Sequence, residues 1–562
     1  MKAKKIISIL LTLCMLIGLL ASCAGEAGSG DADTNNDPAQ GEGGEAAAPE
    51  ESQGGEAAAP EESRRGGVLN LAWKGNGSDN LDPFYSTGWL TYIWSQNVFE
   101  TAISRDAEGN YVPNVCNFEV SEDRLTLKLW VRDGLTFHNG DPVTIDDVVY
   151  SLLIHMRGST NNLDTYFIEY VDSYEVEDGV ATFHFNAYNA NTLYYLSGYA
   201  TFATIMPKSI IEKYETDEDI IFISDLNDLI GTGPYKLNVK DTEPGRLVAL
   251  ERYEGYLPVE GDYSGLGGPK RAYMDKINVY FNSEENSIAM SLMNGNYDAA
   301  QISGDFTQLL EGTDLKSTTD LGNNISYIAF TADEARPVAD VNLRKAIASA
   351  LDYKSVLQVA VGEGFYTLDN CPMVQGPYYT TAFSDVDYFG DANIELAKDY
   401  LSKSSYNGET IIIASKSSDR TGIIIKSLLE AAGISADIDY IDDSAFNAYI
   451  VNPDNPYDML YLSSAKCDTV PSSMVTNLRV RFWNDPDAKE LFSIIGSSVA
   501  GSQESLEAWK TMYTKWVADA HILPLGATQG MIYHDKDLVI NSEGNWRYFF
   551  NSYWLNPSEH TD

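Results

Sequence analysis

Thiols and imidazoles are the side chains of this sequence most suited to covalent, redox or metal chemistry, and their spacing argues against each of these. The body of the chain holds Cys116, Cys371 and Cys467, none of them in a Cys-x-x-Cys pair. The six histidines include no His-Glu-x-x-His motif and no pair four residues apart. Nucleophile-elbow and ATP-binding glycine motifs are missing as well. We therefore expect no metal, no cofactor and no enzyme activity.

A different cysteine, Cys23, lies where a thiol would carry lipid. Lys2, Lys4 and Lys5 precede an apolar run that ends in Leu20-Ala21-Ser22-Cys23. The run is too short for a membrane-spanning helix and has the three-part pattern of a secretory signal. Its end resembles a bacterial lipobox, in which the peptide is cleaved before a lipid-bearing cysteine. We expect a signal peptide over 1–22 and an anchored mature chain.

Residues 23–65 have the composition of an acidic, disordered tether. A Gly-Gly-Glu-Ala-Ala-Ala-Pro-Glu-Glu-Ser decapeptide occurs at 43–52 and again at 54–63, and no large apolar residue offsets the entropy of ordering. The rest of the chain is too long for one hydrophobic core. A net charge of −44 argues against nucleic-acid partners, which select basic surfaces. Export would permit a Cys371–Cys467 disulfide, although the odd cysteine count weighs against it.

The elements of the body alternate between strand and helix patterns. Strands are predicted around 68–73, 125–131, 277–281 and 411–414. Thr144 and Asp147 form a capping box that opens a helix. Further helices are predicted to end at Gly295 and at Gly433, and Trp509 and Trp516 lie seven residues apart on a helix with their side chains in the core. This alternation predicts an α/β fold.

Several short motifs in fixed order resemble the extracellular solute-binding proteins of family five, the dipeptide and oligopeptide binders of ABC importers. The signature stretch runs from Ser121-Glu122-Asp123 through Phe137-His138-Asn139-Gly140 to Tyr150-Ser151. The other motifs are Leu81-Asp82-Pro83, Gly231-Thr232-Gly233-Pro234-Tyr235, Asn294-Gly295 with Tyr297-Asp298, Arg344-Lys345-Ala346-Ile347 with Ala350-Leu351-Asp352, and Pro456-Tyr457-Asp458. The resemblance covers residues 66–562. Each motif also has a structural interpretation: Gly231 and Gly233 suit a tight backbone crossing, and Arg344 and Lys345 a solvated helix face.

The resemblance implies a two-lobed, periplasmic-binding-protein-like (Venus-flytrap) fold with an extra domain inserted in lobe one. Mapped onto this sequence, lobe one comprises 66–105, 230–330 and 526–562. The extra domain is 106–229 and lobe two is 331–525. A ligand would lie between the lobes and favour their closed arrangement by hinge motion.

The resemblance also implies two ligand-binding stretches. In oligopeptide binders, an Asp after a Gly-Trp segment pairs with the ligand's ammonium group. The matching stretch here contains Ser463, Ser464 and Asp468, with two serines in place of Gly-Trp, so Asp468 fits a turn-capping carboxylate as well. The second stretch is the loop that follows Leu81-Asp82-Pro83, and its ligand-facing candidates are Tyr85, Thr87, Gly88 and Trp89. Trp89 suits a pocket wall and core packing equally.

The function expected from these features is capture of a short peptide for an ABC permease and ATPase complex. The protein would act as a monomer, lipid-anchored at the outer face of the cell membrane. An oligosaccharide ligand is the alternative, because the Gly-Trp pattern is lost and Tyr is abundant (35 residues). Nickel or haem, bound by other relatives, fits the few histidines poorly.

Overall fold

The computed structural model describes residues 61–75, 77, 80–84, 89–155, 167–197, 203–215, 222–319, 324–331, 333–374, 376–379, 390–417, 419–442, 446, 456–467, 470–471, 486–541 and 549–561. These residues belong to one compact unit, Ala59–Asp562. The helices within them are α1 (Trp89–Val98), α2 (Ile145–Tyr150), α3 (Thr192–Leu196), α4 (Lys208–Tyr214), α5 (Glu285–Met293), α6 (Val341–Ala350), α7 (Tyr353–Val361), α8 (Ile394–Lys403), α9 (Thr421–Ala431), α10 (Pro486–Ser497) and α11 (Gln503–Ala518).

The largest sheet in the described part of the chain has seven strands. They are β1 (Val68–Lys74), β8 (Tyr235–Leu237), β9 (Leu247–Arg252), β10 (Lys276–Asn282), β11 (Ala299–Gln301), β12 (Lys316–Thr319) and β19 (Met531–His534). Their order is β12-β19-β11-β1-β10-β9-β8, with β1 parallel to both of its neighbours. Successive side chains of β1 face opposite sides of the sheet, so Leu71 and Trp73 enter one hydrophobic core and Ala72 enters another.

A second sheet has six strands among the described residues. They are β13 (Asn324–Phe330), β14 (Tyr366–Thr367), β15 (Ile411–Lys416), β16 (Ala436–Ile441), β17 (Met459–Ala465) and β18 (Ile522–Thr528), in the order β14-β18-β13-β17-β15-β16. Both faces of this sheet are covered. Tyr327 of β13 lies in the core that contains Trp509 and Trp516, and Ile328 lies in the core beneath α6 and α7. This arrangement explains why β13 is buried along nearly its whole length.

The smaller sheets within the described residues are antiparallel. Four strands, β4 (Cys116–Val120), β5 (Thr126–Val131), β6 (Val171–Glu177) and β7 (Val180–Phe185), pair in the order β4-β5-β7-β6. Two further pairs are β2 (Ile103–Arg105) with β3 (Tyr111–Pro113), and β20 (Leu538–Val539) with β21 (Tyr553–Trp554). Leu127, Leu129 and Phe183 of the four-stranded sheet share a core with Leu71 and Trp73. The four-stranded and seven-stranded sheets therefore pack as one body.

The local signals in the sequence position most of these elements. Thr144 and Asp147 make both hydrogen bonds of the capping box, and α2 begins directly after them. A π-helical turn, Ser151–His155, continues this helix. Gly295 and Gly433, just beyond α5 and α9, have positive φ angles of 70° and 87°, as a glycine that ends a helix requires. Trp509 and Trp516 are buried, which confirms their predicted place in the core.

The chain changes sheet twice, and these points differ slightly from the predicted lobe limits. β12 ends at Thr319 in the seven-stranded sheet, and β13 starts at Asn324 in the six-stranded sheet. The return falls between Thr528 and Met531. The predicted limits, 330/331 and 525/526, would place β13 in lobe one and cut β18 between Leu525 and Gly526. The limits are a few residues off because continuous apolar strands carry no signal for a change of sheet. The full domain division stays a prediction.

The Gly231–Tyr235 motif forms a tight crossing, as predicted from its glycines. A Cβ atom on Gly231 would lie 2.2 Å from the Val98 carbonyl oxygen, and one on Gly233 would lie 2.6 Å from that of Asn97. His138 connects this crossing to the signature stretch: its Nδ1 accepts from Gly231 N–H and its Nε2 donates to the Gly233 carbonyl. Burial lowers the pKa of His138 to about 4, which favours this neutral tautomer.

A buried ion pair completes the same junction. Lys270 Nζ lies 2.5 Å from Glu100 Oε1, and both side chains are almost fully enclosed. Tyr256 and Thr232 donate further hydrogen bonds, each 3.1 Å long, to the same carboxylate. Burial, with Glu100 beside it, raises the pKa of Tyr256 well above its usual range. Since these groups are hydrogen-bonded to one another, the Gly231–Tyr235 motif has a structural role here.

Two expectations, on Arg344 and on the end of the tether, need correction. Arg344 is buried rather than solvated, because its guanidinium donates to the carbonyls of Val338, Ala339, Asp519 and Ala520. Cys371 and Cys467, whose pairing the sequence left open, are buried free thiols.

The predicted tether also ends in ordered structure. Glu61–Arg64 forms a 3-10 turn, with the Arg64 guanidinium 4.7 Å from the Tyr553 ring. The signal peptide, Cys23 and the rest of the predicted tether lie outside the described residues. Within those residues, no helix has the length and apolar character needed to span a membrane.

Candidate functional site

A cavity of about 690 Å³ lies between the four-stranded sheet region and the helices beside the six-stranded sheet. One wall comes from hairpin turns and the segment after β7: Glu108, Tyr111, Arg124, Phe185, Tyr188 and Asn189. The facing wall comes from two loops and one short segment: Gly376, Pro377, Tyr378, Val470, Ala500 and Gly501. The volume falls in the range of small-molecule sites, and aromatic walls with a few polar groups are typical of such sites.

The first wall presents the tips of two β-hairpins. The β2–β3 turn is closed by Asp106, whose carboxylate accepts the Asn110 N–H at 2.7 Å, and Glu108 lies at its tip. The β4–β5 turn is closed by Ser121 and Asp123: Ser121 Oγ accepts from Thr126 N–H, and Asp123 accepts from Leu125 N–H. These bonds hold each turn in one conformation, so the turns present their charged side chains from fixed backbones.

The facing wall is fixed by Tyr378. Its hydroxyl accepts from Gly501 N–H at 2.8 Å and shares a hydrogen bond with Ser505 Oγ. Its carbonyl accepts from the buried Trp509 indole at 2.9 Å. Among the described residues that form this wall, none carries an ionised side chain. The described part of this wall is therefore held in place and carries no charge, and the charges of the described lining come from the hairpin side.

The two walls are joined directly beside the cavity. Ala190 donates its N–H to the Gly496 carbonyl at 2.8 Å, and Ala190 belongs to the core that contains Trp509 and Trp516. Tyr188 packs against the same core. The four-stranded sheet region therefore contacts α10 at one edge of the cavity, and the cavity lies between the two walls beside this contact, partly open to solvent.

An ion pair lies at the end of β17, where the predicted ligand-binding stretch begins. Lys466 Nζ is 2.5 Å from Asp369 Oδ2; the lysine side chain is 3% exposed and the aspartate 25%. Cys467 donates to the Pro372 carbonyl, and Val374 donates to the Cys467 carbonyl, each at 2.8 Å. These contacts fix the segment that leads into Asp468 against the segment that leads to Tyr378.

The predicted site residues are only partly covered by the structure. Ser463 is exposed and pairs across the strands with Ser326, and Ser464 is half-buried opposite Ile325. Tyr85, Thr87, Gly88 and Asp468 lie outside the described residues. Trp89 begins α1, and its side chain lies outside them too. The described lining of the cavity contains none of these seven positions, although Val470 is two residues beyond Asp468.

Arg124, Tyr188 and Tyr378 were missed by sequence reasoning. Arg124 lies within the signature stretch, directly after Asp123, but nothing in its spacing marks it as facing a cavity. Tyr378 follows Gly376-Pro377, which signals a turn and no more. In the described part of the chain, no cluster of three or more His, Cys, Asp or Glu side chains has the geometry to hold a metal ion.

Comparison with known proteins decides the family. The model of the bacterial extracellular solute-binding proteins, family 5, middle region, matches residues 107–479. The chain belongs to this family. Proteins of the family are the substrate-binding components of ABC transporters rather than enzymes, and they act outside the cytoplasm. The matched region includes both walls of the cavity except Ala500 and Gly501.

Individual relatives are similar over most of the chain. A probable peptide ABC transporter periplasmic-binding protein of Sinorhizobium fredii is 23% identical over 371 residues, which are 64% of this chain and 67% of that protein. The substrate-binding protein CtaP of Listeria monocytogenes matches in structure with a TM-score of 0.71 and 20% identity, over 87% of this chain and 99% of its own.

DppA of Helicobacter pylori, solved with the peptide STSA, also has a TM-score of 0.71, with 18% identity over 88% and 99% of the two chains. These likenesses confirm the two-lobed family-five fold.

Proposed function

We propose that this protein captures short peptides outside the cytoplasm and delivers them to an ABC permease and ATPase complex. The observation that carries the proposal is the partly open cavity of about 690 Å³, whose described walls place one exposed carboxylate, Glu108, and one exposed guanidinium, Arg124, beside aromatic rings. A peptide is a zwitterion with apolar side chains, so such a lining complements it. The Sinorhizobium fredii protein, named as a probable peptide binder, and the Helicobacter pylori protein, solved with a peptide, support the same ligand class.

The proposed mechanism is capture by closure without chemistry. The ligand would lie between the lobes, and its contacts with both would favour the closed arrangement that the permease recognises. The fixed wall around Tyr378 and the hairpin wall around Arg124 belong to different parts of the fold, so a ligand that touches both draws them together. Lipid on Cys23 would hold the monomer at the outer face of the membrane.

Asp468 remains our candidate partner for the ligand's ammonium group. Lys466, two residues earlier, already pairs with Asp369, so the lysine's charge is satisfied without Asp468. We expect Asp468→Ala to weaken peptide binding by about 2 kcal/mol or more, roughly 30-fold, as when a desolvated charge pair loses one partner. Asp439→Ala, at an exposed position on the edge strand β16, is the matched control.

Isothermal titration tests the proposal. The full chain is titrated with a pool of free-acid tri- to pentapeptides and, separately, with a pool of malto-oligosaccharides. Binding of the peptides alone, weakened by Asp468→Ala and not by Asp439→Ala, supports the proposal. Binding of the oligosaccharides alone would replace the peptide with a sugar as the ligand. Equal peptide affinity in the two variants would reject Asp468 as the anchor and leave the ligand class standing.

A further inference from the structure

Arg124 has a backbone conformation that an arginine adopts only at a cost. Its φ angle is +61°, in the left-handed region, where a side chain with a Cβ costs roughly 1–2 kcal/mol relative to glycine. The residue lies at the tip of the β4–β5 hairpin, a position that glycine would fill without strain. A large cation therefore occupies this position against the local preference of the backbone.

The surroundings of the guanidinium leave its charge available to the cavity. Its carbon lies 5.7 Å from the centre of the Tyr188 ring, a cation–π distance. The neighbouring Asp123 carboxylate is turned into its own hairpin, where it accepts from Ser121 Oγ at 2.6 Å and Leu125 N–H at 3.1 Å. No carboxylate in the described residues forms an ion pair with Arg124, although Asp and Glu outnumber Lys and Arg by 82 to 38 in the sequence.

The rest of the described lining does not neutralise this charge. Glu108 is the other ionised side chain there, and one of its oxygens accepts from Ser264 Oγ at 2.8 Å. The described residues of the facing wall carry no charge, and the Tyr378 hydroxyl is engaged by Ser505 and Gly501. A cation in a partly enclosed, aromatic space attracts an anionic group. A guanidinium pairs with a carboxylate through two parallel hydrogen bonds, which a lysine does not reproduce.

We propose that Arg124 binds a carboxylate of the ligand, so that the cavity selects solutes with a free carboxylate end. For a peptide this group is the C-terminal carboxylate. Tyr188 lies at cation–π distance from the guanidinium, and among the described residues no hydrogen bond or ion pair occupies its N–H groups. The assignment rests on the proposed function and deepens it, because it names the group on the peptide that the four-stranded sheet region recognises and the residue that does so.

The test compares free-acid peptides with their amides. Two pools of tri- to pentapeptides with identical sequences, one with C-terminal carboxylates and one with C-terminal amides, are titrated into the full chain by calorimetry. Wild type is expected to bind the free acids at least about tenfold more tightly. Arg124→Gly should weaken free-acid binding about 10- to 100-fold and change amide binding less than about threefold, so that the preference disappears. Arg124→Lys should retain part of the preference, since it keeps the charge without the fork.

Misfolding cannot explain a loss in Arg124→Gly, because glycine suits the backbone there; its melting temperature should equal or exceed that of wild type. The matched control is Asp178→Gly, which makes the same exchange at a non-glycine residue with φ of +50° on the β6–β7 hairpin, outside the cavity lining. It should leave both pools unaffected.

If Arg124→Gly keeps the wild-type preference for free acids over amides, the inference is overturned. Peptide binding, and with it the proposed function, then still stands. Equal binding of acids and amides by wild type overturns it too. If neither pool binds, the proposed function fails together with the inference.

Discussion

The Lys466–Asp369 ion pair gives an asymmetric prediction, because its two side chains are buried to different extents. The lysine side chain is 3% exposed, whereas the aspartate is 25% exposed and also accepts the Cys371 N–H at 3.0 Å. In Asp369→Asn, a nearly enclosed ammonium loses its counter-charge, which costs about 3–5 kcal/mol of unfolding free energy. In Lys466→Met, the remaining carboxylate is reached by water and keeps its N–H donor, so we expect about 1–3 kcal/mol.

The double variant should sharpen this contrast. Lys466→Met/Asp369→Asn removes both charges and should be more stable than Asp369→Asn alone, because no buried charge is left without a partner. Urea unfolding followed by tryptophan fluorescence is a direct assay, since Trp509 and Trp516 lie in the same core as Cys371 and Cys467.

A control comes from the exposed pair Lys515–Asp487, which is 3.4 Å apart with side chains 37% and 78% exposed. Lys515→Met should change stability by less than about 1 kcal/mol. The reasoning is refuted if Lys466→Met costs more than Asp369→Asn, or if the double variant is the least stable of the three.

Three other predictions concern the core, the motif junction and the anchor. His155 is 1% exposed, neither of its ring nitrogens has a hydrogen-bond partner among the described residues, and burial lowers its pKa to about 4. The unfolded chain therefore binds the extra proton between pH 6.5 and 4, so the free energy of unfolding falls as the pH drops through that window. In urea unfolding, His155→Leu should recover about 3 kcal/mol at pH 4 relative to pH 7, and a pH slope equal to that of wild type would contradict this. Gly231→Ala places a Cβ 2.2 Å from a carbonyl oxygen and should lower the melting temperature sharply. In Gly496→Ala, within α10, the added Cβ would have no neighbouring atom within 4 Å, so the melting temperature should stay unchanged or rise. Equal effects of the two substitutions would contradict the tight crossing at Gly231. Cys23→Ser should release the protein from cell membranes into the medium or periplasm, as fractionation would reveal, and retention in the membrane fraction would reject lipidation of Cys23.

Local chemistry made much of the fold predictable from the sequence. The capping box at Thr144, the glycine stops at Gly295 and Gly433, and the seven-residue spacing of Trp509 and Trp516 depend on neighbours within one or two helical turns. The close approach at Gly231 and Gly233 was also foreseeable, since paired glycines around a threonine have few other uses.

The missed features depend on partners distant in sequence. Arg344 looked like a surface residue because the four carbonyls it serves come partly from residues 519 and 520, far along the chain. Arg124 and Tyr378 line the same cavity although they are more than two hundred residues apart in the sequence. Neither a hairpin tip nor a Gly-Pro turn indicates which residues will pack opposite it. The cavity forms where the four-stranded sheet region packs beside the six-stranded sheet, and hydrophobic periodicity in the sequence does not predict such a contact.

Native mass spectrometry of the full chain, incubated with the free-acid peptide pool, tests the central claim most directly. We predict one peptide bound per chain, recovered after days with its mass unchanged. A chain that stays unliganded across the pool, or a peptide recovered in fragments, would contradict the account.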